Sequence, residues 1–404
     1  MEQTTTTPGR VSRLLEQLTE SATLAMARLS RELAQQGHDI VSLSLGEPDF
    51  DTPDYIKDAA KKAIDNNITH YPPVNGFLDV RKAIAAKFLR DNGLTYSSEQ
   101  IVVSTGAKQS IANAVLALIN PGDEVIMPSP YWVSYSEMVK IAGGVPLEVT
   151  AGLDQQFKIS AAQLAAAITP RTKMIIFSSP CNPSGSVFSE EELRAMAEVI
   201  VQHEELYVIS DEIYEFINYS GKSVSIATMP GMYERTVTVN GVSKAYAMTG
   251  WRIGYIGAPK WIADACTKMQ GQITSGTGTI SQMAAKAAVE ADPAVIQPMI
   301  EVFRTRRDLM YSLLSDIPGL KTNLPEGAFY FFPDVSAFLG KKYNGEVIET
   351  AAQLSMYMLR HFQVATVSGE SFGDPSCIRL SYAASEGDIR KACERIRTAL
   401  LALI

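Results

Sequence analysis

The chain has 404 residues, of which 46% are hydrophobic and 20% charged, and 36 Lys and Arg face 44 Asp and Glu for a formal net charge of −8. Such a composition belongs to an ordinary folded protein, and this length predicts a large domain with a smaller one around a sizeable core. The acidic balance and scattered basic residues exclude a nucleic-acid partner, while Cys181, Cys266, Cys377 and Cys393 form no C-x-x-C pair and point to reduced thiols in a cytoplasmic setting.

Residues 1–10 are polar, include four threonines, and lack the basic region and apolar run of a secretory signal, so they read as a mobile arm. Val11, Leu14, Leu15 and Leu18 then fall at helical spacing and predict a capping helix. Asp39 to Leu45 alternates like a short strand and stops at the turn cluster Gly46-Glu47-Pro48-Asp49. From about 55 to 290, helices over 56–66, 76–92 and 110–118 alternate with short apolar runs. The run Ile111 to Ile119 is too short for a membrane span and reads as a core helix, so no membrane is expected. The predicted strands are 101–104, 124–127, 174–177, 206–209 and 236–239, and their nearly continuous apolar character is that of strands buried on both faces. After a helical stretch near 280–316, strands at 328–332 and 378–381 are interleaved with helices at 350–361 and 386–401. The fold class is therefore α/β: a mainly parallel sheet flanked by helices, over 51–292, with a smaller α+β domain made of segments 1–50 and 293–404.

In an open parallel sheet a ligand lies beyond the carboxyl ends of the strands, and Ser104 to Lys108, Asn182, Asp211 and Lys244 all fall there. Lys244 ends Asn240-Gly241-Val242-Ser243-Lys244, after a strand apolar enough to bury its stem and lower its pKa toward a usable nucleophile that can form an imine. Arg252, eight residues on, could grip a phosphate in a fork while Ser243 donates its hydroxyl. Backbone N–H groups of Gly106, Ala107 and Lys108, at a strand-to-helix turn, could meet the same phosphate with the helix dipole's help. Taken singly, each has a plainer meaning: a solvated lysine for Lys244, a loop cap for Asn182, a helix N-cap for Asp211.

Together, the block Ser243 to Gly254, the loop Ser178-Ser179-Pro180-Cys181-Asn182-Pro183-Ser184-Gly185 and Ser210-Asp211-Glu212-Ile213-Tyr214 resemble the signature set of fold-type I class I and II aminotransferases. Gly46-Glu47-Pro48-Asp49-Phe50, Pro130-Tyr131-Trp132-Val133 and Ile378-Arg379-Leu380-Ser381-Tyr382 extend the resemblance over essentially the full chain, in particular to bacterial aspartate and prephenate aminotransferases. It implies pyridoxal 5′-phosphate held by Lys244 as a Schiff base, with no metal. Asp211 would keep the pyridine nitrogen protonated, Asn182 and Tyr214 would meet the ring hydroxyl, and Trp132 would lie on the ring. The cofactor residues implied are thus Gly106, Ala107, Lys108, Trp132, Asn182, Asp211, Tyr214, Ser243, Lys244 and Arg252. Tyr71 would be the tyrosine that reaches the neighbouring subunit's phosphate, which makes the expected unit a homodimer; an ordinary structural tyrosine is the alternative.

For substrate, Arg379 matches the arginine that takes the α-carboxylate, near Gly46, Trp132 and Asn182, and Lys108 with Thr23 match the pair that takes a distal carboxylate. No arginine between Gly271 and Ile280 supplies the partner-subunit recognition that another subgroup uses. Cys181 and Ser184 stand where asparagine or histidine, and threonine, are usual. The implied activity is ping-pong transfer of an amino group between aspartate or glutamate and 2-oxo acids such as 2-oxoglutarate and oxaloacetate, with prephenate a further candidate. Lys244, Asp211 and Tyr214 are the expected catalytic residues. A β-lyase, or an aminotransferase for aromatic or neutral amino acids, is the alternative on the same scaffold.

Overall fold

Strands that are apolar along their whole length must be covered on both faces, and the computed structural model, which describes residues 11–404, shows such a sheet at the centre. After a two-residue strand β1 (Val41–Ser42), the chain forms β2 (Ile101–Ser104), β3 (Glu124–Ser129), β4 (Val145–Thr150), β5 (Thr172–Ser178), β6 (Tyr207–Asp211), β7 (Thr236–Gly241) and β8 (Gly254–Gly257). These last seven make one sheet in the order β2-β8-β7-β6-β5-β3-β4. Only β8 is reversed: it pairs antiparallel with both β2 and β7, while the other pairs are parallel. The carboxyl ends of β2, β5, β6 and β7 consequently share one edge.

Successive strand residues face opposite ways, and the packing follows that alternation. Ile176, Ile209 and Val237 join Ile111, Val115 and Ile262 in one helix-covered core. Ile175 and Val208 join Leu193, Met196 and Ile200 in another on the opposite face. All five expected strands are present, and two further ones escaped the apolar pattern. In β4 most residues are exposed or half-buried and Pro146 interrupts the run, which suits an edge strand. In β8, Gly254 and Gly257 bracket Tyr255 and Ile256 and mimic turn signals.

The remaining strands are β9 (Tyr330–Phe331), the hairpin β10 (Lys342–Tyr343) and β11 (Glu346–Val347), β12 (Val364–Ala365), β13 (Val367–Ser368) and β14 (Ile378–Ser381). β13, β14 and β9 form a small antiparallel sheet. β1 pairs in parallel with β12, Val41 opposite Val364, so the first strand is completed by a segment more than three hundred residues away. Val41 and Leu43 share a core with Phe303, Met310, Leu354, Met358, Ile389 and Ile396, from the helices Gln297–Ser315, Ala351–Phe362 and Glu386–Leu401. Side-chain caps set two of these ends: Thr350 accepts from Gln353 N, and Ser385 from Asp388 N.

Near the amino terminus the structure departs from the pattern. The expected capping helix is only Arg13–Gln17, and a longer helix, Ala22–Gln35, follows it. That second helix buries only Met26, Ala27 and Ser30, too narrow an apolar stripe to show in the sequence. The strand expected over 39–45 shrinks to Val41–Ser42, and the helix expected over 76–92 is α-helical only at Leu78–Lys87 before a wider turn, Phe88–Asn92. That turn carries Asn92 back to the Lys87 ammonium, 2.8 Å away. The arm expected at 1–10 lies outside the described residues. Among those described, no helix is long and apolar enough to cross a membrane.

β8 returns to the sheet so close to the helix Ala107–Leu118 that a Cβ at Gly254 would overlap the backbone of Gly106 and Ala107. Backbone cannot yield as a side chain can, so Gly254→Ala is expected to destabilise the protein by about 1–3 kcal/mol or more. A lowered urea midpoint checks this; a midpoint equal to that of the parent protein would contradict the close approach.

Candidate active site

Where those four strand ends meet the β1 and β14 segments, a cavity of about 300 Å³ opens. Its lining brings together Thr23, Gly46, Ala107, Lys108, Trp132, Asn182, Asp211, Tyr214, Ser243, Lys244, Arg252 and Arg379. Sequence positions from 23 to 379 thus converge on one space. Gly106 lies just behind it, against the Arg252 guanidinium. Tyr71 alone among the expected residues stands apart, 98% exposed on the outer surface.

Lys244 follows β7, whose six residues are all buried, so its stem leaves the core and its amine ends at the cavity wall. The ammonium donates to the Gly46 carbonyl at 2.5 Å. Burial, and then the Arg379 charge, push its pKa down to about 8, against a weaker opposing pull from Glu47. A neutral amine is therefore accessible near physiological pH. Asp211 ends β6, in register with Ser178 on β5, and is buried. Its Oδ2 accepts from the Tyr135 hydroxyl at 2.7 Å and its Oδ1 from Ile213 N at 3.3 Å. Burial outweighs both donors and raises its pKa to about 6, which leaves the group mostly ionised at neutral pH.

Arg379, on β14, is 2% exposed. It donates to the Ser44 carbonyl at 2.6 Å and to Asn182 Oδ1 at 2.9 Å, and its Nε has no hydrogen-bond partner among the described residues. Its guanidinium lies 4.6 Å from the Tyr330 ring centroid and 5.0 Å from that of Phe372. Neither of its hydrogen-bond partners is a carboxylate, so a buried cation with donor capacity left over faces the cavity. A carboxylate supplied from outside would complete it.

At another wall, Gly106 holds φ +85° and its lack of a Cβ admits the Arg252 guanidinium. The helix Ala107–Leu118 starts there, with Ala107 and Lys108 on the lining. Open N–H groups at a helix start, a guanidinium and the Ser243 hydroxyl make a cradle for a phosphate-sized anion. The Lys108 ammonium sits 5.0 Å from the Trp132 ring centroid, and burial lowers its pKa, with the Arg252 charge adding to the effect.

The Tyr214 and Tyr330 hydroxyls share a hydrogen bond of 2.7 Å, and Tyr330 also fills the space that a Cβ on Gly46 would need. Among the lining residues that gave no signal as site residues are Tyr135, Tyr330 and Glu47. Tyr135 sits three residues after Trp132 in the first turn of a helix, a spacing that could have flagged it. Tyr330 reads as one aromatic in a core strand, and Glu47 as part of a turn cluster.

The family described as aminotransferase class I and II matches residues 38–396. The chain is 46% identical to the probable aspartate/prephenate aminotransferase of Rhizobium leguminosarum bv. phaseoli, over 95% of this chain and 96% of that one. To the aspartate/prephenate aminotransferase of Cereibacter sphaeroides it is 44% identical over 96% and 98%. Among solved structures, the aspartate aminotransferase from Rhizobium meliloti superposes with a TM-score of 0.94 at 41% identity, covering 98% of this chain and all of that one. The aspartate aminotransferase from Thermus thermophilus with maleate gives a TM-score of 0.91 at 41% identity, covering 96% and 99%.

Because folding raises the Asp211 pKa from an ordinary 3.8 to about 6, the folded protein binds that proton more tightly than the unfolded chain. Stability should therefore fall as pH rises through this window and level off above it. Compared with the parent, cofactor-free Asp211→Asn should lose that component of the slope, and Tyr135→Phe should extend it to higher pH. Thermal midpoints between pH 4 and 7 provide the measurement, and equal slopes in all three proteins would contradict the assignment.

Proposed function

The chain belongs to the class I and II aminotransferases, and we propose that it moves an amino group between a dicarboxylic amino acid, aspartate or glutamate, and a 2-oxo acid, with prephenate as a further acceptor. It is a pyridoxal-phosphate-dependent enzyme, and the cavity fits that group: an amine, a buried acid, a phosphate-sized cradle and the flat face of Trp132 all border it. The observation that carries an amino-acid or oxo-acid substrate is Arg379, a buried guanidinium with an unsatisfied Nε in the same cavity as Lys244, and the Lys108 ammonium on the same lining supports the dicarboxylic part of the reading. The names of the relatives from Rhizobium leguminosarum and Cereibacter sphaeroides, aspartate/prephenate aminotransferases, support the same reading.

When bound, pyridoxal phosphate supplies a ring that takes up the electron pair left at the substrate α-carbon. Arg379 orients the substrate by a forked grip on its α-carboxylate, which brings the α-carbon within reach of Lys244. Lys244 would anchor the cofactor through Nζ and, as a free amine, would be the base that carries the α-proton on Nζ. A pKa near 8 keeps a usable fraction of that amine neutral. Asp211 would hold a proton on the ring nitrogen, and Asn182 and Tyr214 would hold the ring hydroxyl. The Gly106 N–H donates to the Ser104 carbonyl at 2.8 Å, so of the expected donors the Ala107 and Lys108 N–H groups, with Ser243 and Arg252, would hold the phosphate. Lys108 and Thr23 meet the substrate's distal carboxylate.

Tyr71, exposed on an isolated chain, is read as completing the phosphate cradle of a second copy, so the active unit is a homodimer. The β1–β12 pairing supports taking segments 1–50 and 293–404 as one lobe beside 51–292. Four buried cysteines, none in a disulfide, support a cytoplasmic setting.

Two measurements test this reading. Borohydride treatment of the holoenzyme should attach cofactor irreversibly to Lys244, and Lys244→Ala should abolish transamination; retained turnover in that variant would refute it. Removal of one charge-assisted hydrogen bond in Lys108→Met should lower kcat/KM for aspartate and glutamate about 10- to 100-fold while sparing alanine. Equal losses for all three amino acids would show that Lys108 does not read the distal carboxylate.

A further inference from the structure

The loop that carries Lys244 and Arg252 is held in an unfavourable shape. Ala247 has φ +49° and Arg252 φ +57°, both left-handed positions taken by residues with a Cβ. The loop's own backbone bonds are long: Ala247 N to Lys244 O is 3.4 Å, and Met248 N to Ser243 O and Trp251 N to Met248 O are each 3.2 Å. Something outside the loop must therefore keep it in place.

That support is Thr52. Its hydroxyl donates to the Ala247 carbonyl at 2.6 Å and accepts from the Trp251 indole N–H at 3.0 Å. One oxygen thus ties a strained residue at one end of the loop to the neighbour of the strained residue at the other. Thr52 is itself fixed, since it precedes Pro53 and the helix Asp54–Asp65. Three residues earlier Asp49 is bound in a fork by Arg306 at 2.6 and 2.9 Å, and Phe50 packs edge-on against Phe303 at 5.3 Å. Glu47 of the same segment also accepts from the Thr249 hydroxyl.

We infer that Thr52 is a positioning residue for the reaction: its hydroxyl, as donor and acceptor at once, holds the strained 244–252 loop so that the Lys244 amine and the Arg252 guanidinium face the same ligand. The inference rests on the pyridoxal-phosphate reading above for its catalytic meaning, while the clamp itself does not depend on it. Threonine suits the task because a hydroxyl fills both roles, and valine matches its shape without either.

The test compares Thr52→Val with Thr52→Ser. In cofactor-free protein, the Met248 and Trp251 amides should exchange with deuterium roughly tenfold faster in T52V and close to the parent rate in T52S. In protein loaded with pyridoxal phosphate, T52V should dissociate the cofactor about tenfold more readily, and the pH midpoint of the Lys244-bound chromophore should shift, with T52S restoring both. Trp251→Phe, which breaks only one of the two bonds, should give an intermediate exchange rate. The inference is overturned if T52V matches the parent, if T52S is as damaged as T52V, or if exchange accelerates equally throughout the protein. Wild-type protein that binds no pyridoxal phosphate would sink the enzymatic reading, and the exchange comparison would still decide on the clamp.

Discussion

Three charged groups are buried around one small space, and the desolvation they share governs what the site can do. An amine, a carboxyl and a guanidinium removed from water each lose hydration, and only some of that loss is returned by partners. Lys244 is returned one carbonyl and is pushed toward its neutral form. Asp211 is returned a tyrosine hydroxyl and a backbone N–H and is pushed up toward neutrality, yet not past pH 7. Arg379 keeps its charge and is left with a bare Nε. The first two shifts bring a base and an acid into a usable range, and the third leaves a preference for an anion.

Topology makes that convergence possible. Parallel strands deliver the ends of β2, β5, β6 and β7 to one edge, and the reversed β8 lets the chain pass from Lys244 through Arg252 and back along the sheet within a few residues. Two glycines allow it: Gly254 admits the backbone of the adjoining helix start, and Gly106 admits the Arg252 guanidinium. The small antiparallel sheet contributes Tyr330 and Arg379, and the segment after β1 contributes Gly46 and Glu47, so both pieces wall the cavity that the large sheet opens.

How much of this was legible in the sequence follows from the kind of signal each residue leaves. Strands buried on both faces announce themselves by unbroken apolar runs, and all five were visible; β4 at the edge and the glycine-bracketed β8 were not. Lys244, Asp211, Asn182 and Ser104 to Lys108 could be placed at strand ends from local order alone. Arg379, Thr23 and Gly46 depended on resemblance, because their joining requires pairings over hundreds of residues such as β1 with β12. Tyr135, Tyr330 and Glu47 left no trace as site residues, since a side chain that serves a buried acid or fills a gap beside a glycine looks like any core aromatic or turn acid.

The segment from Gly46 to Thr52 shows why such supporting residues escape local reading. Its carbonyl at Gly46 meets the Lys244 amine, its Glu47 meets Thr249, its Asp49 meets Arg306 and its Thr52 meets both Ala247 and Trp251. None of these contacts has a periodicity, and each joins positions about two hundred or more residues apart. Yet a loop with two left-handed non-glycine residues is populated only if surroundings over-determine it, so the strain at Ala247 and Arg252 must be offset by bonds of this kind. The same segment that closes one side of the cavity therefore also fixes the loop that sets the Lys244 amine on the cavity wall, and cavity shape and loop conformation cannot vary independently.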